Sequence, residues 1–365
     1  MTMPLADTRF LQRRRALSAQ LAAKRIDAML VTHLTHIRYL SGFTGSNAAL
    51  IINKDLSARI STDGRYTTQI AEQVPDIESL MARNCAPALL SDINGPKWVG
   101  FEADYLSVSQ CEELRKSAGS DVELIPVTGA IEKLRLTKDA LEIESLRSVA
   151  KIANTAFQEL IDDGLIAAGR TERAIAADLE YRMRIKGTER PSFDTIVASG
   201  PNSAKPHHGA GDRVICEGDI VTIDFGAYAD GYNSDTTRTV IVGQPTAFAR
   251  EIYSIVLEAQ RAGCAAAVPG TSLVDVDKAC REVIENAGYG EYFVHSTGHG
   301  LGLDVHEQPA AAVTGSGVLE ENMTLTIEPG IYVPGKGGVR IEDSLVIRSG
   351  SAENLTSLPK DLLIL

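Results

Sequence analysis

Long apolar runs are missing from this sequence, and no stretch approaches the ~20 residues that a membrane-crossing helix requires. Behind the charges of its first residues there is no apolar segment of the secretory kind either, so no membrane is expected as a partner. Cysteine is scarce. The five present (Cys85, Cys111, Cys216, Cys264 and Cys280) are scattered, odd in number and without any CxxC spacing. That pattern excludes a cysteine-built zinc cluster and fits a reducing compartment, so the expectation is a soluble cytoplasmic protein. Basic charge is also short, with 36 Lys and Arg against 48 Asp and Glu, a net charge of −12 and no long basic run. Nucleic acid is therefore not expected as a partner. The glycine-rich loop at 42–47 (GFTGSN) lacks the GxxxxGKS pattern, which argues against a phosphate cradle.

What the sequence does have is acid in unusual places. Residues 220–225 (IVTIDF) alternate as a strand with an apolar face, and Asp224 lies on the other face near its end. Asp230 and Gly231 give a turn, and a β-branched run over 236–242 returns the chain, opened by Asp235. A hairpin thus sets two carboxylates side by side, where they repel each other unless a cation sits between them. Residues 321–330 repeat the pattern of 217–226, with Glu328 standing where Asp224 stood. A glycine-rich turn at 334–338 follows, and the returning run 340–347 places Glu342 as the counterpart of Asp235. Two such hairpins indicate a duplicated half-domain with a pseudo-twofold axis and four carboxylates meeting near it. Four converging acids call for two divalent ions, and a pair of ions is a hydrolytic device.

The rest of the chain fits around this centre. Residues 8–24 have helical periodicity. Short strands are expected at 27–32, 48–52, 59–62, 98–101 and 123–126, with a helix at 107–116, which describes an α/β domain over residues 1–128. After Gly129 the composition turns helical, and a second domain is expected over 129–365. In it Thr137 is read as the cap of a long helix ending by Gly164, and Thr171 as the cap of a second ending at Gly187. A strand at 193–198 and the first hairpin follow. Helices at 247–262 and 272–287, a strand near Phe293 and the second hairpin repeat that order.

Five of the seven histidines (His207, His208, His295, His299 and His306) lie between the hairpins or just before the first. His295 and His299 are four apart, but Gly298, Gly300 and Gly302 rule out the helix that an HExxH zinc site needs. On a strand, His295, Thr297 and His299 would share a face. His33 and His36 read as surface or interface residues, Asp230, Asp304 and Asp343 as turn formers, and Cys216 and Cys264 as core.

The segments 201–207 (PNSAKPH), 224–226 (DFG), 234–238 (SDTTR), 295–302 (HSTGHGLG) with 305–307 (VHE), 328–330 (EPG) and 338–343 (GVRIED) together resemble the pita-bread metallopeptidases, in the branch of aminopeptidase P and prolidase. Residues 39–46 (YLSGFTGS) and 62–66 (TDGRY) resemble the creatinase-type N-terminal domain of that branch. The resemblance implies an α/β (α+β) fold: a creatinase-type N-terminal α/β domain followed by a pseudo-twofold pita-bread catalytic domain. It implies metal ligation by Asp224, Asp235, His299, Glu328 and Glu342, with Asp235 and Glu342 bridging and Glu328 also accepting a proton. It gives His207, His295 and His306 roles toward substrate and intermediate, and places Arg340 beside the site. The spacing after Pro206 favours His207, with His208 one residue away. Two divalent ions are implied, with Mn²⁺ first and Co²⁺, Fe²⁺ or Zn²⁺ also suited to four oxygen donors and an imidazole. The implied activity is removal of an N-terminal residue that precedes proline, from dipeptides or longer peptides, by a homodimer. A methionine aminopeptidase-like enzyme and an inactive pita-bread binding module are the alternatives. The N-terminal segments count against the first, and the intact ligand positions against the second.

Overall fold

The computed structural model describes residues 8–93 and 97–365, and the chain divides between Leu134 and Arg135 into two compact units. Residues 1–7 and 94–96 of the domain expected over 1–128 lie outside the described residues.

The N-terminal unit begins with helix α1 (Thr8–Ala23), strand β1 (Ala28–Val31), helix α2 (Leu34–Ser41) and strands β2 (Ala48–Asn53) and β3 (Ala58–Thr62). It continues through α3 (Thr67–Gln73), β4 (Glu78–Met81), α4 (Cys85–Ser91), β5 (Lys97–Glu102), α5 (Val108–Ser117), β6 (Val122–Val127) and α6 (Ala130–Arg135). The strands form one mixed sheet in the order β4-β3-β2-β1-β5-β6. β1 is buried along its whole length, antiparallel to β2 and parallel to β5, which is why its sequence is apolar without alternation. Ser107 caps α5 in a reciprocal capping box with Gln110. His36, expected at the surface or at a domain interface, is not at the surface. It is only 2% exposed, because α2 turns it inward together with Ile37 and Leu40.

The second unit opens with α7 (Ala140–Asp162) and α8 (Glu172–Ile185). Asp139, not Thr137, caps α7: its carboxylate takes the N–H groups of Leu141 and Glu142, and Glu142 returns the bond to the Asp139 N–H. Thr137 instead forms a β-bridge with Met323. Strands β7 (Arg190–Pro191), β8 (Ile196–Ser199), β9 (Ile220–Phe225), β10 (Ala227–Ala229), β11 (Tyr232–Asn233) and β12 (Thr236–Ile241) complete the first half. Helices α9 (Ala247–Ala266) and α10 (Leu273–Asn286) start the second, followed by β13 (Gly298–Gly300) and β14 (Glu307–Ala311). Then come β15 (Thr324–Ile327), β16 (Gly330–Val333), β17 (Gly337–Arg340), β18 (Asp343–Val346), β19 (Glu353–Asn354) and β20 (Leu363–Ile364).

The duplication is visible in matched backbone bonds. Gly169 and Gly270 share a φ of 89° and donate to the carbonyls of Ile215 and Leu319, which donate back to Arg170 and Thr271. The helix caps Thr171 and Ser272 bridge Val214 and Val318 in the same way. In each half the outer strands pair (β9 with β12, β15 with β18) and the inner strands pair beyond them (β10 with β11, β16 with β17). Asp230 and Gly231 both have positive φ, 49° and 84°, as the type I′ turn of the first hairpin demands. The hairpins are stapled to each other by buried hydroxyls: Thr239 Oγ1 donates to the Arg340 carbonyl at 2.8 Å, and Ser344 Oγ to the Asp235 carbonyl at 2.8 Å. Helices α9 and α10 cover this sheet with Ile252, Val256, Val276 and Ile284 against Leu325, Ile327 and Leu345.

Three further expectations for this unit change. The strand near Phe293 is instead a 3₁₀ turn over Gly290–Tyr292 and an irregular segment, because the Arg281 guanidinium takes the carbonyls of Phe293 and His295 that a ladder would need. Cys216 is exposed in the loop before β9, whereas Cys264 packs partly buried against the core. Asp343 is no turn former. It is fully buried and accepts hydrogen bonds from Arg238, Gln260, Asn354 and Lys360.

Candidate metal centre

The hairpins present their acids where regular pairing stops. Asp224 is the penultimate residue of β9, and Asp235 directly precedes β12. Glu328 lies between β15 and β16, and Glu342 between β17 and β18. His299 is the middle residue of β13, which can lie against β15 because Gly298 has no side chain: a Cβ there would be 1.7 Å from the Thr326 carbonyl oxygen. The donor atoms fall into overlapping groups whose members all lie within 4.8 Å of one another: Asp224, Asp235 and Glu342; His299, Glu328 and Glu342; Asp235, His299 and His306. Asp235, His299 and Glu342 each belong to two groups, and of these only the two carboxylates carry a second oxygen with which to reach a second ion.

The protonation energetics match a cation site. Burial, and then the Glu342 carboxylate, push Asp235 well above the usual carboxylate range. Burial, and then Glu328 and Asp224, do the same to Glu342, and burial lifts Glu328 to about 8. Asp224 Oδ1 and Glu342 Oε1 are buried without any hydrogen-bond partner. Their companion oxygens are held, Asp224 Oδ2 by Arg340 at 2.6 Å and Glu342 Oε2 by Thr237 Oγ1 at 2.8 Å. Each carboxylate therefore has one oxygen fixed by protein and one left to meet a cation. His299 Nδ1 lies 2.9 Å from the Gly300 carbonyl, which can only accept. The lone pair is thus on Nε2, 3.3 Å from Glu328 Oε1 and 3.6 Å from Asp235 Oδ2. Burial lowers the pKa of this ring and keeps it in the neutral, ligating form.

A cavity of about 510 Å³ borders the centre, lined among others by His207, His295, His306, Arg340, Phe193 and Ile196. His306 packs edge-on against His299 with ring centroids 4.4 Å apart. Three of the five histidines that line the cavity, His207, His295 and His306, sit on loops pinned by buried ionic side chains to which the sequence reading gives no role. Glu172, fully buried at the start of α8, accepts from Ser199, Asn202, Gly211 and His208 Nε2, which winds the 199–211 loop around one carboxylate. His208 is thereby tied down, whereas His207 stays exposed at the cavity. Arg281, paired with Asp277 at 2.8 Å, holds the His295 carbonyl. Glu307, next to His306, sits between Arg135 at 2.5 Å and Lys138 at 2.8 Å. Tyr332 is a further omission. Its hydroxyl accepts from Arg340 and lies 2.8 Å from His295 Nε2, linking that histidine to the residue that grips Asp224. Burial lowers His295 to about 4, so the ring is neutral and Tyr332 donates to it. An i,i+4 acid–base pair such as Asp277 and Arg281 is visible in sequence, but a lone Glu172 or Tyr332 carries no local signal of its burial.

The fold and this centre define a metallopeptidase. The family description "Metallopeptidase family M24" matches residues 144–349, and "Creatinase/Prolidase N-terminal domain" matches residues 13–137. The chain belongs to metallopeptidase family M24, with a creatinase-type N-terminal domain followed by the pita-bread domain. An uncharacterized peptidase of Bacillus subtilis is 45% identical over 343 residues, 93% of this chain and 96% of the relative. An Xaa-Pro dipeptidase from Bacillus anthracis superposes with a TM-score of 0.93 at 40% identity, covering 98% of this chain and 100% of the other. An X-Pro aminopeptidase from Thermotoga maritima gives 0.88 at 37% identity, covering 96% and 99%. Among the described residues no helix is long and apolar enough to cross a membrane.

Proposed function

We propose that this chain is a dinuclear-metal exopeptidase that hydrolyses the bond between an N-terminal residue and a following proline. The observation that carries the reading is the paired orphan oxygens of Asp224 and Glu342 within overlapping ligand groups, bordered by a histidine-lined cavity. The dipeptidase and aminopeptidase names of the similar structures supply the substrate class. Asp224, Asp235, His299, Glu328 and Glu342 would hold the ions, with Asp235 and Glu342 shared between them. Two divalent ions bound there would acidify a water and polarise the scissile carbonyl.

The chain's own residues supply the rest. Glu328 accepts the proton of the attacking water and passes it to the departing proline nitrogen. His207 and His306 bind the substrate and the developing oxyanion, and neutral His295 is aimed by Tyr332. Arg340 holds Asp224 in its ligating orientation and, through Tyr332, sets His295. Phe193 and Ile196 give the cavity an apolar wall for the pyrrolidine ring. A proline amide has no N–H, so peptidases that rely on bonding that group lose a contact which this histidine-lined site does not use.

The preferred metal in this reading is Mn²⁺, because four of the five ligands are hard oxygen donors. The reading also includes a homodimer, to be checked by sedimentation at micromolar concentration, where a fully active monomer would refute it. It places the protein in the cytoplasm, in keeping with five free cysteines, and recovery only from a secreted fraction would overturn that. The functional test is hydrolysis of Xaa-Pro dipeptides and longer Xaa-Pro peptides with each metal added back to stripped protein. Cleavage of N-terminal methionine from peptides without proline at the second position, in preference to these, would favour the methionine aminopeptidase-like alternative.

A further inference from the structure

One buried imidazole nitrogen in the N-terminal unit has no role in this chemistry. His36 Nδ1 lies 2.5 Å from Glu102 Oε1. Glu102 Oε2 accepts the backbone N–H groups of Thr32 at 2.6 Å and His33 at 2.9 Å, so the carboxylate is fully engaged at the start of α2. A carboxylate only accepts, so Nδ1 carries a hydrogen, and Nε2 is the ring nitrogen left to offer a lone pair to a metal. Nε2 is buried without a hydrogen-bond partner in a side chain that is 3% exposed. Glu132 Oε1 stands 4.0 Å from it, beyond hydrogen-bond reach. The His33 ring packs edge-on against His36 with centroids 4.6 Å apart. A donor atom of His33 lies within 4.8 Å of donor atoms of His36 and Glu102.

A histidine whose N–H is fixed by a carboxylate while its other nitrogen stands bare is the arrangement in which imidazole meets a transition metal. We propose that the N-terminal unit holds a further metal site, separate from the catalytic pair, in which His36 Nε2, His33 and Glu132 bind one zinc-type divalent ion and Glu102 orients His36. Two imidazoles and one carboxylate favour zinc over the harder ions suited to an oxygen-rich centre. Zinc bonds of about 2.0–2.1 Å place neighbouring tetrahedral ligands roughly 3.3 Å apart, so Glu132 Oε1 needs to come less than an ångström closer to His36 Nε2. Its side chain is 39% exposed, which gives the carboxylate room to move and the ion a way in. The ion would tie α2 to α6, which already meet where the Tyr39 hydroxyl donates to the Leu134 carbonyl at 2.9 Å. Its role is to stabilise the N-terminal unit, and it does not depend on the peptidase reading.

The test is zinc content of the full chain after equilibration with Zn²⁺ and dialysis into metal-free buffer. It is measured with and without His36→Asn, in the native background and in Asp235→Ala/Glu342→Ala. Asparagine keeps an amide donor for Glu102, so α2 should remain anchored. The expected result is one zinc per chain fewer with His36→Asn in both backgrounds, with Xaa-Pro turnover unchanged in the native one. Glu132→Gln, at a partly exposed position, should weaken this zinc by about 10-fold or more while leaving the fold intact. Equal zinc content with and without His36→Asn, or zinc affinity unchanged by Glu132→Gln, would overturn the site.

Discussion

In the proposed reaction Glu328 accepts a proton and later surrenders it, which asks for basicity as well as charge. Glu328→Gln keeps the side chain's size and one ligating oxygen but removes the basicity. Both ions should remain by elemental analysis while turnover falls ~100-fold or more. Turnover close to that of the native chain with both ions bound would move the proton role to another group. The adjacent histidines 207 and 208 should separate cleanly. His207→Ala is expected to leave thermal stability and metal content in place while raising KM and lowering kcat. His208→Ala removes a partner of the buried Glu172 carboxylate and should cost about 1–3 kcal/mol in urea unfolding. At this scale the convergence of the four acids was legible in the sequence, because Asp224 and Glu328 each close an apolar run while Asp235 and Glu342 stand at matching places in the returning one. Glu172, Tyr332 and Asp343 were not, since a single polar residue reveals its burial only through partners far away in sequence. Thr137 was mistaken for a cap because the stronger Asp139–Glu142 capping box lies two residues on.

The two hairpins act as a unit, since Asp235 and Glu342 come from different halves yet each joins two ligand groups. Asp235→Ala and Glu342→Ala should therefore each lose both ions, whereas a variant of an unshared ligand should lose one more readily than the other. Retention of a full pair in either alanine variant, measured by elemental analysis, would refute the bridging assignment. The hairpins were readable from alternation and turn residues, including the Asp230–Gly231 turn. The segment carrying His295 was not, because its shape is set by Arg281 reaching from α10 to carbonyls that a strand would otherwise have paired. Local periodicity describes what a segment can pair with, and a side chain from another element can take those partners away.

For the whole molecule, the buried acids couple metal binding to stability and pH. Burial raises Glu328 to about 8 in the metal-free fold and pushes Asp235 and Glu342 well up, so the folded chain holds protons that the unfolded chain releases near pH 4–5, roughly the ordinary carboxylate range. A raised carboxyl contributes stability that is present below the unfolded pKa and lost as pH rises through the folded one. Divalent ions bind the deprotonated form and restore what is lost. The rise in Tm on adding Mn²⁺ should therefore grow between about pH 5 and pH 8, as calorimetry with and without the ion would show. A metal-induced rise that is flat or shrinks over that range would contradict the coupling.

The most direct measurement is release of free proline from an Xaa-Pro dipeptide by metal-stripped protein titrated with Mn²⁺. Stripped protein should be inactive, and proline release should climb with occupancy and level off at two catalytic ions per chain. Full occupancy of the hairpin centre with no release of proline from Xaa-Pro dipeptides or longer Xaa-Pro peptides would contradict the assignment.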